Sequence, residues 1–248
     1  MNEPDLVRAL EERCFNAWPA LATALADGWV LRLSDGHTRR ANSASALSPS
    51  GIAPERIVET VETLFRARGL KPLFRLTCLA DPAVERLLAA RGWREEEPSF
   101  GMVADVDGRF APYHDVRIET ALTEGWIDGA MAAYGKGEAG AAALRRMLPL
   151  IAPAHAYATV VAGGEAVGWG LAVVDRGYVG LYDLVVSEAA RGRGAGTRMV
   201  SALIAWGAAQ RAGRAYLQVR EGNAGARALY RRLGFRDAYR YIQLRASA

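Results

Sequence analysis

The sequence predicts a mixed α/β protein in two halves, each a mixed, mostly antiparallel sheet flanked by helices. Three observations carry that reading. Strand-like alternation and helix-like periodicity take turns along the whole chain. Three consecutive apolar runs, 156–162, 166–174 and 178–186, are separated by Gly163-Gly164 and Asp175-Arg176-Gly177, the punctuation of hairpins. A series of glycine, strand, helix, glycine and aromatic occurs twice, bounded by Gly69 and Gly92 and again by Gly213 and Gly234. That repeat suggests tandem copies of one fold, although the rhythm is common among α/β chains.

In order, Leu6, Leu10, Cys14 and Ala17 recur at helical spacing and predict an opening helix. Gly28-Trp29-Val30-Leu31-Arg32-Leu33 alternates as a strand, and a second run follows from Arg39 to Leu47. Pro54 starts a helix with Ile57, Val58, Val61, Leu64 and Phe65 on one stripe, stopped by Gly69. A strand over 71–77, a short helix from Asp81-Pro82 to Gly92 and a strand over 99–106 complete the first half. The turn formers of Asp107-Gly108-Arg109-Phe110-Ala111-Pro112 mark a boundary between domains at 1–110 and 113–248. Beyond it come a strand at 116–122, helices at 124–134 and 140–150, and the three-strand meander. The chain closes with a helix to Ala212, a strand at 215–219, a helix at 224–233 and a strand at 239–244.

At 248 residues there is room for one large domain or two ordinary ones. The apolar share of 51% and charged share of 23% suit a globular protein in water. No apolar run reaches the roughly 18 residues of a membrane-spanning helix, and Met1-Asn2-Glu3-Pro4-Asp5 lacks the features of a secretory signal. A cytoplasmic protein without membrane attachment is expected. Cys14 and Cys78 form no metal-ligand spacing, so two reduced thiols and no metal are expected. The net charge is +4 and the pI about 9.3, carried by arginine, since Lys71 and Lys136 are the only lysines. There is no block of like charges. A polyphosphate ligand explains such a balance without nucleic acid.

The apolar run Leu184-Val185-Val186 reads as a strand covered on both faces. Arg191-Gly192-Arg193-Gly194-Ala195-Gly196 then leads into a helix that buries Met199, Val200, Leu203, Ile204 and Ala208. Glycines admit an anion to the backbone, and helix N-terminal amides with the helix dipole attract it. Arg191 and Arg193 add charged donors. No Gly-Lys-Ser/Thr follows, so this is not a Walker loop; the meander before it also argues against a dinucleotide fingerprint.

The stretch from Leu181 to Gly196 resembles the central strand and Arg/Gln-x-x-Gly-x-Gly/Ala loop of the GNAT superfamily of N-acetyltransferases, matched by Arg191, Gly194 and Gly196. Asn223 to Phe235 is similar to the family's second signature, Asn-x-x-Ala-x-x-Leu-Tyr-x-x-x-Gly-Phe. The match covers Tyr113 to Ala248. The first half resembles the same fold without its loop, as in tandem GNAT proteins with a degenerate N-terminal copy.

The resemblance implies acetyl-CoA as cosubstrate and transfer of an acetyl or short acyl group to an amine by direct attack in a ternary complex. It places the pantetheine arm along Leu184, Val185 and Val186, and the pyrophosphate on the amides of Arg191, Gly192, Arg193, Gly194, Ala195, Gly196 and Thr197. It puts Asn223 near the thioester, with Ala226 among the cofactor-binding residues, and Tyr230 beside the sulfur as general acid. A phenol and a thiol have neighbouring pKa values, which suits that role; Tyr230 packing beside Leu229 and Leu233 is the alternative. Asp183 stands as a candidate base or as a polar residue on the strand's exposed face.

Trp18, Trp29, Trp126, Tyr134 and Trp169 read as core rather than as an acceptor pocket, and His155 as a surface residue. The acceptor amine is not named by the sequence, and monomer and homodimer are both open. A non-catalytic acyl-CoA sensor is the competing function. Nucleic-acid binding ranks last, because Arg227, Arg231, Arg232 and Arg236 lack interleaved aromatics.

Overall fold

In the computed structural model, which describes residues 3–246, α1 (Glu3–Ala17) buries Val7, Leu10, Cys14 and Ala17 along one stripe. Spacing of this kind lets one helix face cover a sheet. The chain forms two units: Met1–Gly101 with Arg220–Gly222 and Ala238–Ala248, and Met102–Val219 with Asn223–Asp237. The boundary read at 107–112 lies just past the first crossing. The return of the chain's end to the first unit has no counterpart in the sequence reading.

In the first unit the strands run in the order β1 (Ala22–Ala26), β2 (Trp29–Leu33), β3 (Ser43–Ala46), β4 (Leu73–Leu76) and β11 (Arg236–Arg245). All these pairs are antiparallel except β3 with β4. β11 joins through Ile242↔Leu76 and Leu244↔Phe74, which buries both of its apolar residues. α2 (Pro54–Ala67) supplies Ile57, Val58, Val61 and Phe65 to the core, and α3 (Pro82–Ala90) supplies Val84 and Leu88. Phe74 meets Trp29 and Trp93 edge-on at 5.5 and 5.4 Å, a favoured aromatic geometry.

The sequence reading lacks β1, whose Ala-Thr-Ala-Leu-Ala has little intrinsic strand preference. The neighbouring β2 recruits it through a turn at Asp27-Gly28, both with positive φ, the conformation that a two-residue hairpin prefers. β3 is shorter than the expected run 39–47 because Asn42 pins the preceding loop. Its Oδ1 accepts from the amides of Ser34 (2.7 Å) and Gly36 (3.1 Å), and its Nδ2 donates to the carbonyls of His37 and Thr38.

In the second unit the strands run in the order β6 (Val116–Glu119), β7 (Ala154–Ala162), β8 (Glu165–Asp175), β9 (Tyr178–Val186) and β10 (Arg214–Arg220). The first three pairs are antiparallel and β9 with β10 is parallel. The remaining long strand, β5 (Arg94–Asp105), starts earlier than the expected 99–106. α4 (Glu124–Tyr134) and α6 (Ala195–Ala209) cover opposite faces of the second unit's sheet. Neighbouring strand residues point to opposite sides: Trp169 lies against Gly129 of α4, and Gly170 faces Met199 and Leu203 of α6. α5 (Gly137–Met147) packs on α4, and α7 (Ala224–Arg232) follows β10.

Trp18, Trp29, Trp126 and Trp169 are buried as expected of core residues, whereas Tyr134 is exposed. Among the described residues, no helix is long and apolar enough to cross a membrane.

Candidate active site

The site begins with an irregularity in β9. Leu171 of β8 pairs with Tyr182 and Trp169 pairs with Val185, so Asp183 and Leu184 together oppose Gly170. This is a β-bulge, and Asp183 takes a φ of +46° there. Aspartate tolerates that region better than most side chains. Gly170 makes room, since a Cβ on it would lie 2.8 Å from Leu184 Cδ2.

A bulge bends its strand and increases local twist. The parallel register of β9 with β10 accordingly runs from Tyr178↔Arg214 to Leu181↔Leu217 and ends there, although β9 continues to Val186 and β10 to Arg220. At the point of divergence the Tyr182 and Tyr216 hydroxyls are hydrogen-bonded, and the Tyr216 ring lies over Gly180. The two strands thus part like a V, with Val185 and Val186 on one arm. An extended chain inserted there can take the place of β10 beside β9.

The glycine-rich loop follows. Arg191 turns inward: its amide donates to the Glu188 carbonyl at 3.2 Å, and its Nε donates to the Val186 carbonyl at 3.2 Å. The Arg191 amide is therefore engaged within the protein, unlike the others expected to hold an anion. Among the described residues, none of the amides from Gly192 to Thr197 donates to a protein acceptor with ordinary geometry. Gly194 is the N-cap of α6, with φ +78° and no side chain to cap the helix. Six amides without a protein acceptor at and before a helix N-terminus form an arrangement that can attract an anion.

Two residues to which the sequence reading gives no role lie behind this loop. Arg198 Nη1 donates to the Arg193 carbonyl at 3.0 Å, and Arg198 Nε donates to Asp115 Oδ2 at 2.7 Å. No local sequence signal pairs residues 83 positions apart.

The second signature builds α7. Asn223 caps this helix, its side chain accepting from the Ala226 amide at 3.2 Å. Leu229 and Val186 converge on Gly196, where a Cβ would lie 3.2 Å from Leu229 Cδ1 and 3.9 Å from Val186 Cγ2. The strand end, loop and second signature are thus brought to one place. Tyr230 is the buried residue of α7, its ring 5.9 Å from that of Phe235. Its hydroxyl has no hydrogen bond to any described residue, and none links it to Asp183. Burial pushes the Tyr230 phenol up to about 12, so it is fully protonated at neutral pH.

The same shift makes stability depend on alkaline pH. The folded state keeps the Tyr230 proton to about pH 12, whereas an unfolded chain releases it near pH 10. The full contribution is present below about pH 10 and is lost as pH rises toward 12, amounting to about 2–3 kcal/mol. Urea midpoints measured from pH 9 to 11.5 should fall less steeply in Tyr230→Phe than in the wild type. Identical slopes would contradict the buried assignment.

A splayed parallel pair, an uncapped glycine loop opening a helix and a tyrosine-bearing helix after it define the class: this is a GNAT-type N-acetyltransferase. The chain belongs to the family described as "Probable histone acetyltransferase Rv0428c C-terminal", whose model matches residues 5–243. It is 26% identical over 238 residues to the uncharacterized N-acetyltransferase YobR of Bacillus subtilis, covering 93% of this chain and 95% of that one. It is 28% identical over 240 residues to the probable histone acetyltransferase Rv0428c of Mycobacterium tuberculosis, covering 93% of this chain and 70% of that one. Among solved structures, a GCN5-related N-acetyltransferase from Kribbella flavida superposes with a TM-score of 0.70 at 18% identity, covering 99% and 95% of the two chains. A tandem GNAT protein from the clavulanic acid biosynthesis pathway gives 0.66 at 14% identity, covering 96% and 87%.

Proposed function

We propose that this acetyltransferase moves an acetyl group from acetyl-CoA to a primary amine. The observation that carries the reading is the row of amides from Gly192 to Thr197 beside the divergence of β9 and β10. A pyrophosphate fits the amides, Arg193 adds positive charge at the surface, and a pantetheine arm fits the gap along Val185 and Val186. Acetyl-CoA supplies the activated acyl carbon and a thiolate leaving group. Tyr230 gives the departing sulfur its proton. Desolvation weakens the phenol as an acid, but it also raises the proton affinity of a thiolate formed beside it, so the pair stays matched. Asp183 takes the proton lost by the amine, directly or through water. A β9 amide near Val185 polarises the thioester carbonyl.

The test is release of free thiol from acetyl-CoA against a panel of amines. One relative is named a probable histone acetyltransferase and one structural neighbour belongs to clavulanic acid biosynthesis. The panel therefore spans lysine-bearing peptides and small amines. Tyr230→Phe should lower kcat by about 100-fold or more while leaving the KM for acetyl-CoA within about threefold. Saturable binding without thiol release from any amine would make the chain a sensor instead.

We further propose that the first unit is a degenerate copy with no cofactor site of its own. Its β3 and β4 form a parallel pair as β9 and β10 do, and Asp81 caps α3, accepting from the Ala83 amide, as Asn223 caps α7. Where the second unit has its amide row, the first has Ser50 Oγ bonded to Asp27 and to the Ile52 amide, and Pro54 at the start of α2. A carboxylate and a missing N–H both disfavour a phosphate.

A further inference from the structure

We infer that Arg198 is a positioning residue for the cofactor's pyrophosphate and acts by turning the amides of the loop outward; this rests on the acetyl-CoA reading above. In a trans peptide the C=O and the following N–H point in opposite directions. Among the described residues there is no cis peptide bond. Two consecutive peptide units are held by their carbonyls, the first by the Arg198 side chain and the second by the opening backbone bond of α6. Arg198 Nη1 donates to the Arg193 carbonyl at 3.0 Å, and the Arg198 amide donates to the Gly194 carbonyl at 3.1 Å. With both carbonyls drawn toward Arg198, the amides of Gly194 and Ala195 face the other way, into the anion site.

The guanidinium sits behind the loop rather than in front of it. It is anchored there by Asp115, whose Oδ2 accepts from Arg198 Nε at 2.7 Å; the two side chains are 17% and 28% exposed. Asp115 is fixed in turn, because its carbonyl accepts from the Val161 amide at 2.8 Å, next to the β6–β7 pair. The second carboxylate oxygen, Oδ1, is buried without a partner among the described residues. The ion pair thus spans from the start of β6 to the first turns of α6. It transmits the rigidity of the sheet to a loop whose glycines would otherwise leave it mobile. Lysine cannot reproduce the arrangement, because a single ammonium cannot reach both Asp115 and the Arg193 carbonyl with a planar fork.

The test compares acetyl-CoA with S-acetylpantetheine, which has the thioester but no pyrophosphate, in the wild type, Arg198→Met, Arg198→Lys and Asp115→Asn. Arg198→Met should raise the KM for acetyl-CoA about tenfold with kcat within about threefold, since the Gly194 amide loses the side-chain contact that orients it. Its kcat/KM for S-acetylpantetheine should stay at the wild-type level. Arg198→Lys and Asp115→Asn should give smaller rises in the same direction, and they carry the test if Arg198→Met does not fold. Equal losses with both donors would overturn the inference, because Arg198 would then act on the fold or the chemistry. A KM for acetyl-CoA that does not move in any variant would overturn it as well. If the wild type itself uses both donors equally well, the fault lies with the acetyl-CoA reading of the loop and not with Arg198 alone.

Discussion

Gly194→Glu should weaken acetyl-CoA binding by about two orders of magnitude or more in a calorimetric titration. Three costs combine at this position. The residue sits at φ +78°, where a side chain adds roughly 1–2 kcal/mol of strain. A Cβ there would stand 3.0 Å from Arg198 Nη1 and press on the contact that holds the loop. The new carboxylate also enters the site proposed for the cofactor's pyrophosphate. At about 5 Å each like-charge pair costs on the order of 1–3 kcal/mol between bulk-water and surface screening. Together these exceed the roughly 2.8 kcal/mol that a hundredfold change represents. Gly194→Ala keeps only the backbone and contact costs and should lose about tenfold. An unaltered affinity in Gly194→Glu, with circular dichroism confirming the fold, would remove the loop from the cofactor site.

Glu11→Ala should cost the protein about 3–5 kcal/mol, the range for stranding one member of a buried ion pair. Arg75 and Glu11 are each about 1% exposed and form a two-pronged salt bridge, Nη2 lying 2.9 Å from Oε1. Tyr239 donates its hydroxyl to the same carboxylate, and the Tyr241 ring lies 3.8 Å from the Arg75 guanidinium carbon. Arg75 Nε is already buried without a partner among the described residues. Removing the carboxylate takes from a buried guanidinium and a buried phenol the acceptor they share. At this chain length the loss corresponds to a drop in Tm of about 10 °C or more. The double variant Glu11→Met with Arg75→Met should recover much of it, since apolar replacement of a whole buried pair is often tolerated. A Tm within a degree or two of wild type in Glu11→Ala would show that the pair is not buried in solution.

The helices and the glycine loop were legible in the sequence because their signals are local. The stripe of Ile57, Val61 and Phe65, the hairpin turns of the meander and the Asn223 cap each lie within one or two turns of chain. Leu229 and Gly196 belong to separate motifs that both read correctly as motifs, yet their contact had to come from packing. Arg191 shows what local spacing does not convey. Its place in the motif suggested a phosphate ligand, while the fold turns both its amide and its Nε back onto the protein. The bulge carried only a faint signal, an aspartate amid Leu-Tyr-Asp-Leu-Val-Val in a strand and a glycine on its neighbour.

What the sequence determined by itself is therefore the order of elements, the position of the glycine-rich loop at the start of a helix and the membership of the chain in its class of fold. Each rests on residues close enough along the chain for spacing alone to fix their geometry. The tertiary structure decided where β9 leaves β10, how the loop's amides are aimed and where the last strand pairs. These depend on Asp183 opposite Gly170, on Arg198 with Asp115, and on Tyr239 with Glu11. The last two pairs are 83 and 228 residues apart in sequence. Backbone propensity does not reach that far, and only packing of the sheets brings such partners within hydrogen-bonding distance.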